Sequence, residues 1–332
     1  MDRTKRRTWP LWLLLTLAAL LVLPYLLPLS APADISLGLP FDNSAFLEIE
    51  GTRFHYRLYL SKGQAARGKL LLVHGLGAST YSFEALVPQL TQAGYLVVSV
   101  DLPGFGYSER SLSYDHSQGR RASDLWLLLD QVDAALPEEW AQQLWHLGGH
   151  SMGGGTVYAM ALKRPDSSRS LLLLDAPLTA DRGSGRAFFT LPPLMKWLEV
   201  GLEHLLFNEA RIDALLKRAY GRLPTKDEVQ GYLAPLLLPG TARSLGQFVR
   251  TAREEDIRGL ARLPLPVFFI WGGEDTIVPI AILRKLQALR PDAQTLVIPG
   301  AGHCPMETHT GEVAEALIAW LADDRPAFSV VR

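Results

Sequence analysis

The sequence predicts an α/β fold: a mostly parallel central sheet flanked by helices, with a helical segment inserted before the penultimate strand. Three observations carry this. Short apolar runs at Lys69–Val73, Tyr95–Val100, Ser170–Leu174 and Pro266–Trp271 alternate with stretches of helical spacing, as strands buried on both faces do. A further run, Gln143–Leu147, leads into the glycine-rich turn Gly148-Gly149-His150-Ser151-Met152-Gly153-Gly154-Gly155 and then into the helix-compatible stretch Gly154–Arg164. Finally, from Pro177 to about Leu263 the buried-strand pattern stops and only helix-like stretches separated by Pro and Gly remain.

Taken in order, the chain opens with Arg3, Lys5, Arg6 and Arg7 before an apolar run from Trp9 to Leu29. A run of about 20 apolar residues suits a membrane-crossing helix, whereas secretory signals usually have about 7–15. Pro24 and Pro28 shorten the clean helical part to Leu11–Leu23, and Ala31-Pro32-Ala33 offers an imperfect cleavage site. Residues 1–33 are therefore expected to be an uncleaved single-pass anchor in the lipid bilayer, with a cleaved signal peptide as the alternative. Either way the positive flank places the rest of the chain on the non-cytoplasmic side, as a membrane-bound or a secreted/periplasmic protein.

Ala45–Glu50 and Phe54–Leu60, flanking Gly51-Thr52, read as a β-hairpin. Lys69–Val73 runs into His74-Gly75-Leu76-Gly77; Tyr81–Ala93 has helical spacing closed by Gly94; Tyr95–Val100 is followed by Asp101-Leu102-Pro103-Gly104-Phe105-Gly106-Tyr107-Ser108. A polar loop to about Arg120 then leads into a helix through Leu136, with Pro137 past its end. Within the insertion, Leu194–Leu206, Glu209–Tyr220 and Thr241–Arg253 read as helices. Strands resume at Pro266–Trp271 and Gln294–Ile298, with helices at Ile280–Leu289 and Gly311–Leu321. The expected organisation is a core of residues 34–176 and 264–324 and a helical cap of residues 177–263 over the sheet's C-terminal edge, where ligands bind in such folds.

Composition narrows the function. The chain has 332 residues, nearly half of them hydrophobic, enough for a large core. A formal net charge of -1 gives no footprint for nucleic acid. The single cysteine, Cys304, excludes a disulfide framework and a cysteine-based metal site. No cofactor or metal is expected.

The chemistry-bearing stretch is Gly149-His150-Ser151-Met152-Gly153. A serine hydroxyl is a weak nucleophile until a base takes its proton, so it must sit where an imidazole reaches it. A sharp strand-to-helix turn does this, and it needs glycines where a side chain would strike the neighbouring strand or helix. The candidate base is His303, in Gly300-Ala301-Gly302-His303 after the last strand. None of His55, His74, His116, His146, His150 and His204 combines a strand-end position with a place after the acid, and His309 opens the final helix. The candidate acid is Asp275, in Trp271-Gly272-Gly273-Glu274-Asp275, also past a strand end; Glu274 and Asp175 are the alternatives. The oxyanion needs preorganised backbone donors. The N–H of Met152, opening a helix, is one; that of Leu76, after the Lys69–Val73 strand, is the other. His74 is expected to brace that loop, and Asp101 its own Pro-Gly turn. Cys304 reads as a small buried residue. Met195, Trp197, Leu198 and Leu202 either line an acyl pocket or pack the cap.

From about residue 45 to 323 the chain resembles the α/β-hydrolase superfamily, in its branch with a helical cap. The matching motifs are His74-Gly75-Leu76-Gly77, Asp101 through Ser108, Gly149 through Gly154, Trp271 through Asp275 and Gly300 through His303. The resemblance implies an α/β-hydrolase fold and a Ser151-Asp275-His303 triad, in the chain order of that fold. The branch holds esterases, carbon–carbon bond hydrolases, aminopeptidases and cofactor-free haloperoxidases. Serine at 151, where related haloalkane dehalogenases and epoxide hydrolases carry aspartate, argues against those two activities. The N-terminal apolar stretch departs from the family's mostly soluble members. The expected function is hydrolysis of a small-molecule carboxylic ester through an acyl-enzyme. An amide- or carbon–carbon-cleaving hydrolase and a non-catalytic membrane-tethered binding protein are the alternatives.

Overall fold

The fold is described from a computed structural model over residues 9–32, 39–61, 66–178 and 191–322. Eight strands form one sheet: β1 Ser44–Ile49, β2 Thr52–Tyr59, β3 Gly68–Val73, β4 Tyr95–Val100, β5 Trp145–His150, β6 Ser168–Leu174, β7 Val267–Gly272 and β8 Gln294–Ile298, in the order β1-β2-β4-β3-β5-β6-β7-β8. β1 pairs antiparallel with β2 and β2 with β4; from β4 through β8 every pairing is parallel. The hairpin turn lies one residue earlier than Gly51-Thr52. Ile49 pairs with Thr52, so Glu50 (φ 49°) and Gly51 (φ 75°) are the two turn residues. Positive φ at both is the two-residue turn whose twist suits a hairpin.

The parallel strands are apolar because both faces are covered. Along β3, Leu71 and Val73 pack on one side with Leu125, Leu129, Val157 and Met160. Those residues come from α3 (Gln118–Ala135) and α5 (Met152–Lys163), which are separated by the short α4 (Glu138–Ala141). Leu70 and Leu72 face the other way, toward Leu90 of α2 (Val87–Gln92) and Val313 and Leu317 of α12 (Thr310–Leu321). That period of two is the strand's own geometry. The predicted helix Tyr81–Ala93 is instead a 3₁₀ turn, Thr80–Phe83, followed by α2. Pro88 explains the break: it has no N–H and belongs in a first helical turn.

Between β6 and β7 lie α6 (Pro192–Gly201), a π turn at Leu202–Leu206, α7 (Glu209–Tyr220), α8 (Lys226–Leu236) and α9 (Thr241–Thr251). After β7 come α10 (Ile280–Leu289) and the short α11 (Pro305–Thr308). The expectations did not include α8, although its start was legible: Thr225 and Glu228 form a capping box, each side chain meeting the other's backbone N–H. Buried Arg110 ties this insertion to the core. Its guanidinium donates to the carbonyls of Phe105, Gly106, Ser108 and Pro235 and to Thr241 Oγ1. Burial lowers its pKa to about 10, so it stays charged at neutral pH.

At the N-terminus, α1 (Trp9–Leu26) is shorter than the apolar run Trp9–Leu29 but longer than the expected clean helix Leu11–Leu23, because it continues through Pro24. At 1.5 Å per residue its 18 residues rise about 27 Å, short of a hydrocarbon core of about 30 Å. Among the described residues, no helix is long and apolar enough to cross a membrane. The helix stops because Pro28 disfavours helical backbone just before it, so the apolar run outlasts the helix. α1 rests against α6, and Trp197 Nε1 donates to Leu20 O at 2.8 Å. The basic cluster from Arg3 to Arg7, Ala33 of the expected cleavage site and the tail after Asp324 lie outside the described residues.

Candidate active site

The sheet delivers its chemistry-bearing loops to one edge, past the C-terminal ends of β3, β5, β7 and β8. Ser151 follows β5 and precedes α5, at φ +50° and ψ −118°. Such backbone costs a non-glycine residue about 1–3 kcal/mol and persists where the surroundings over-determine it. Here Ser151 N donates to Leu174 O on β6, and Gly154 N donates to Ser151 O. The flanking glycines allow the turn: a Cβ on Gly149 would lie 2.5 Å from the Gly153 backbone, and one on Gly153 would lie 2.1 Å from Val73 O. The elbow forms because strand, turn and helix have no room between them for a methyl group.

Asp275 and His303 meet as the sequence predicts. His303 Nδ1 and Asp275 Oδ2 are 2.7 Å apart, and both residues are buried. The Asp275 loop is preorganised: Asp275 Oδ1 accepts from Ile277 N at 2.7 Å and Val278 N at 2.9 Å, while Trp271 Nε1 donates to Val278 O. Burial works against the carboxylate's charge. The His303 hydrogen bond and charge, with those two N–H groups, outweigh it and hold the Asp275 carboxyl below its usual range. The stability this gives is present at neutral pH and is lost as the pH falls through the lowered pKa.

His303 is fixed by its backbone as well. Its N–H donates to Ala219 O at the end of α7 (2.6 Å), and its carbonyl accepts from His150 Nε2 (2.8 Å). The His150 and His303 rings lie 4.7 Å apart, so the residue preceding Ser151 packs on the imidazole. Burial, with the adjacent His303, drives the His150 pKa down to about 3. His150 is thus a neutral brace that donates through Nε2, and sequence reasoning had assigned it no role. Among the hydrogen bonds of the described residues, none yet joins the Ser151 hydroxyl to His303. Catalytic hydrogen bonds are often loose in the unliganded state and tighten with substrate.

The oxyanion candidates flank the elbow. Gly75 lies against Ser151, since a Cβ there would sit 3.2 Å from the Ser151 Cβ. His74 braces this loop as expected: its Nδ1 donates to Gly75 O (2.7 Å) and its Nε2 accepts from Leu102 N (3.1 Å). The Leu76 side chain is exposed. Neither Leu76 N nor Met152 N is spent on another hydrogen bond of the described residues. Asp101 is structural: it takes N–H groups from Thr80 and Tyr107 and pairs with His55 Nδ1 at 2.7 Å.

Asp175, the alternative acid, ends β6 at φ +43° and is fully buried. Its Oδ1 accepts from Gly272 N at 2.9 Å, and its Oδ2 has no partner among the described residues. Burial first, with the Asp275 charge adding, pushes this carboxyl well above the usual range. Ligand atoms of Asp175, Asp275 and His303 lie within 4.8 Å of one another. A divalent cation there would need the Asp275 and His303 atoms already bonded to each other, so the donor set fits a proton-carrying dyad better than a metal. Glu274 binds through its backbone N–H to Ala301 O and has no such place. Cys304 is buried, and burial raises its thiol pKa well above the ordinary value, which makes it inert.

Residues 70–316 match the alpha/beta hydrolase family. The chain belongs to that family. It is an enzyme of that family, and its relatives are hydrolases and esterases. The uncharacterized hydrolase YugF of Bacillus subtilis is 27% identical over 272 residues, spanning 80% of this chain and 93% of that protein. Lipase 1 of Psychrobacter immobilis is 26% identical over 266 residues, 78% of each chain. Among solved structures, a membrane phospholipase A described as a bacterial virulence factor matches with a TM-score of 0.66 at 22% identity, covering 98% of this chain and 100% of that one. At that identity the hydrolase shares the fold.

Proposed function

We propose that this α/β-hydrolase cleaves carboxylic esters through an acyl-enzyme, with Ser151 as nucleophile, His303 as base and Asp275 as its orienting acid. The single observation that carries this is the 2.7 Å bond between His303 Nδ1 and an Asp275 carboxylate held ionised, beside a serine at positive φ. With Nδ1–H donated to Asp275, Nε2 is the free base. It takes the Ser151 proton as Oγ attacks the ester carbonyl. The developing oxyanion accepts from Leu76 N–H and Met152 N–H, the latter at the positive end of α5. Collapse breaks the ester C–O bond, and His303 returns the proton to the departing alkoxide. Water, deprotonated by His303, then attacks the acyl-Ser151 carbonyl and releases the carboxylic acid. Lipase 1 of Psychrobacter immobilis supports an ester as substrate, and residues 191–263, packed over the sheet edge, would cover it as a cap.

A fluorophosphonate probe is expected to label the wild-type protein at one site and to leave Ser151→Ala unlabelled. Equal labelling of both proteins, read by intact mass, would remove Ser151 as the nucleophile.

We further infer a place at a lipid bilayer. α1 exposes Trp12, Leu13, Leu14, Leu17 and Leu20 to solvent, an apolar surface that water does not favour. Apolar on every side and lacking a polar face, such a helix favours lipid tails over water, and it is held to the enzyme through α6. The full chain is expected to float with phosphatidylglycerol/phosphatidylethanolamine vesicles, and a chain lacking residues 1–29 to remain at the bottom of the gradient. Equal flotation of the two would place the membrane contact elsewhere.

A further inference from the structure

The triad reading leaves unused a part-buried carboxylate, Glu307, seated between two buried tyrosines. Glu307, on α11 four residues past His303, accepts from Tyr220 OH (2.6 Å) at its Oε2 and from Tyr232 OH (2.5 Å) at its Oε1. Tyr220 closes α7 and Tyr232 lies on α8, so one carboxylate holds two helices of the insertion. Ser82, in the 3₁₀ turn after β3, joins through Tyr232 OH at 3.0 Å. Tyr220 also follows Ala219, whose carbonyl takes the His303 N–H at 2.6 Å. Gly302 permits that approach, since a Cβ there would sit 2.3 Å from Ala219 O. The histidine loop is thus gripped by α7 at two points: directly at the His303 backbone, and through Tyr220 at Glu307.

We propose that Glu307 is a positioning residue for this hydrolase: with Tyr220 and Tyr232 it clamps the insertion onto the His303 loop, so that the seating of α7 and α8 sets the place of the catalytic imidazole. This rests on the triad reading above. Glu307 itself touches neither substrate nor reacting atoms. An ionised carboxylate accepts from both tyrosines at once, whereas a carboxylic acid keeps one oxygen fully available and turns the other into a donor. Burial raises the Glu307 pKa to about 7, against the two tyrosine hydrogen bonds, which lower it. The groups facing it are Tyr220 on α7, Tyr232 and Glu228 on α8, Arg222 in the turn between them, Tyr81 beside Ser82, and Cys304 on its own loop. Of these, Glu228 is paired with Arg222 through two short contacts and stays charged. Tyr220, Tyr232 and Tyr81 all have raised pKa values, and so does Cys304. Near neutral pH, Glu307 is therefore the member of the cluster that changes charge. As the pH falls through its pKa the clamp loosens.

The test compares wild type, Glu307→Gln, Glu307→Ala and Tyr220→Phe/Tyr232→Phe on a short p-nitrophenyl ester, with amide hydrogen exchange of the peptide containing His303. Removing the clamp is expected to lower kcat between about 10- and 100-fold, the scale of a displacement of about 1 Å in a catalytic group, with KM changed less than about threefold. The double tyrosine variant should match Glu307→Ala rather than add to it when the two are combined, as members of one unit do. Exchange at the His303 amide should speed up in both. The acid limb of kcat/KM should be steeper in wild type than in Glu307→Gln, which keeps the shape and cannot ionise. Unchanged exchange at His303 in well-folded variants, or equal acid limbs in wild type and Glu307→Gln, overturns the proposal. If Glu307→Ala does not fold, the paired tyrosine variant, which loses only two hydroxyls, decides. If wild type hydrolyses no ester while exchange responds as expected, the ester reading fails and the clamp stands.

Discussion

An Asp275→Asn variant is expected to lose about 10⁴-fold in kcat toward a p-nitrophenyl ester while its fold survives, the loss seen when an amide replaces this acid in Ser-His-Asp enzymes. The reason is local. Asp275 Oδ2 receives the Nδ1 proton of His303 at 2.7 Å, and its Oδ1 is occupied by the N–H groups of Ile277 and Val278. An asparagine would keep its oxygen on those two donors and turn its NH₂ toward His303. Nδ1 would then have to accept, which moves the ring proton to Nε2, the atom that must take the proton of Ser151. The imidazolium also loses the negative charge that stabilises it. Asp175→Asn is the control. Asp175 is fully buried, and burial pushes its carboxyl well above the usual range, which favours the uncharged form that asparagine mimics. Asparagine matches its shape and tolerates its positive φ. That variant is expected to stay within about tenfold of wild type, a barrier change under about 1.4 kcal/mol. Steady-state kinetics with near-ultraviolet circular dichroism on both proteins checks this. A similar collapse in the two would mean that the carboxyls act as a coupled pair and that Asp275 alone is not the acid.

How much of this was legible before the fold is uneven, for physical reasons. The parallel strands were visible because burial on both faces leaves Leu70–Val73, Val97–Val100 and Leu171–Leu174 almost no polar residues, and periodicity reads burial directly. The Asp275 loop was visible because it follows the doubly buried β7, and the His303 loop because it follows the last apolar run, the edge strand β8. Boundaries governed by a single hydrogen bond were less so: the hairpin turn moved to Glu50-Gly51, and Pro88 split a predicted helix into a 3₁₀ turn and α2. α8 left a readable sign in Thr225 and Glu228, which was missed because its apolar face is interrupted by Gly231 and Pro235. Arg110, His150 and Glu307 were not legible at all. Each has a role only because a distant segment folds back onto it: Pro235 and Thr241 onto Arg110, His303 onto His150, Tyr220 and Tyr232 onto Glu307. Sequence spacing encodes which face of an element is buried; it does not encode which insertion helix comes to rest above a loop.

Gly153→Ala should unfold or strongly destabilise the protein, and the mechanism differs from loss of the nucleophile. The added methyl carbon would lie 2.1 Å from Val73 O and 2.6 Å from His74 O, both backbone atoms at the end of β3. A flexible side chain could swing away; these carbonyls cannot, because β3 is hydrogen-bonded to β4 on one side and to β5 on the other. Relief therefore requires α5 to lift from the sheet, exposing Val157 and Met160, which are fully buried against it. Overpacking in a core usually costs about 1–3 kcal/mol; against immobile backbone the upper end or more is expected, a large share of a total stability of about 5–15 kcal/mol. A control separates sterics from helix propensity. Gly311 lies in the first turn of α12 with nothing within 4 Å of a built Cβ. There alanine should leave stability unchanged or raise it by up to about 1 kcal/mol, because it restricts the unfolded chain and favours the helix. Urea unfolding of the two variants beside wild type gives the comparison. A Gly153→Ala midpoint near that of wild type would mean that the elbow has slack the close approach of β3 and α5 does not allow, and the strained seat assigned to Ser151 would have to be withdrawn with it.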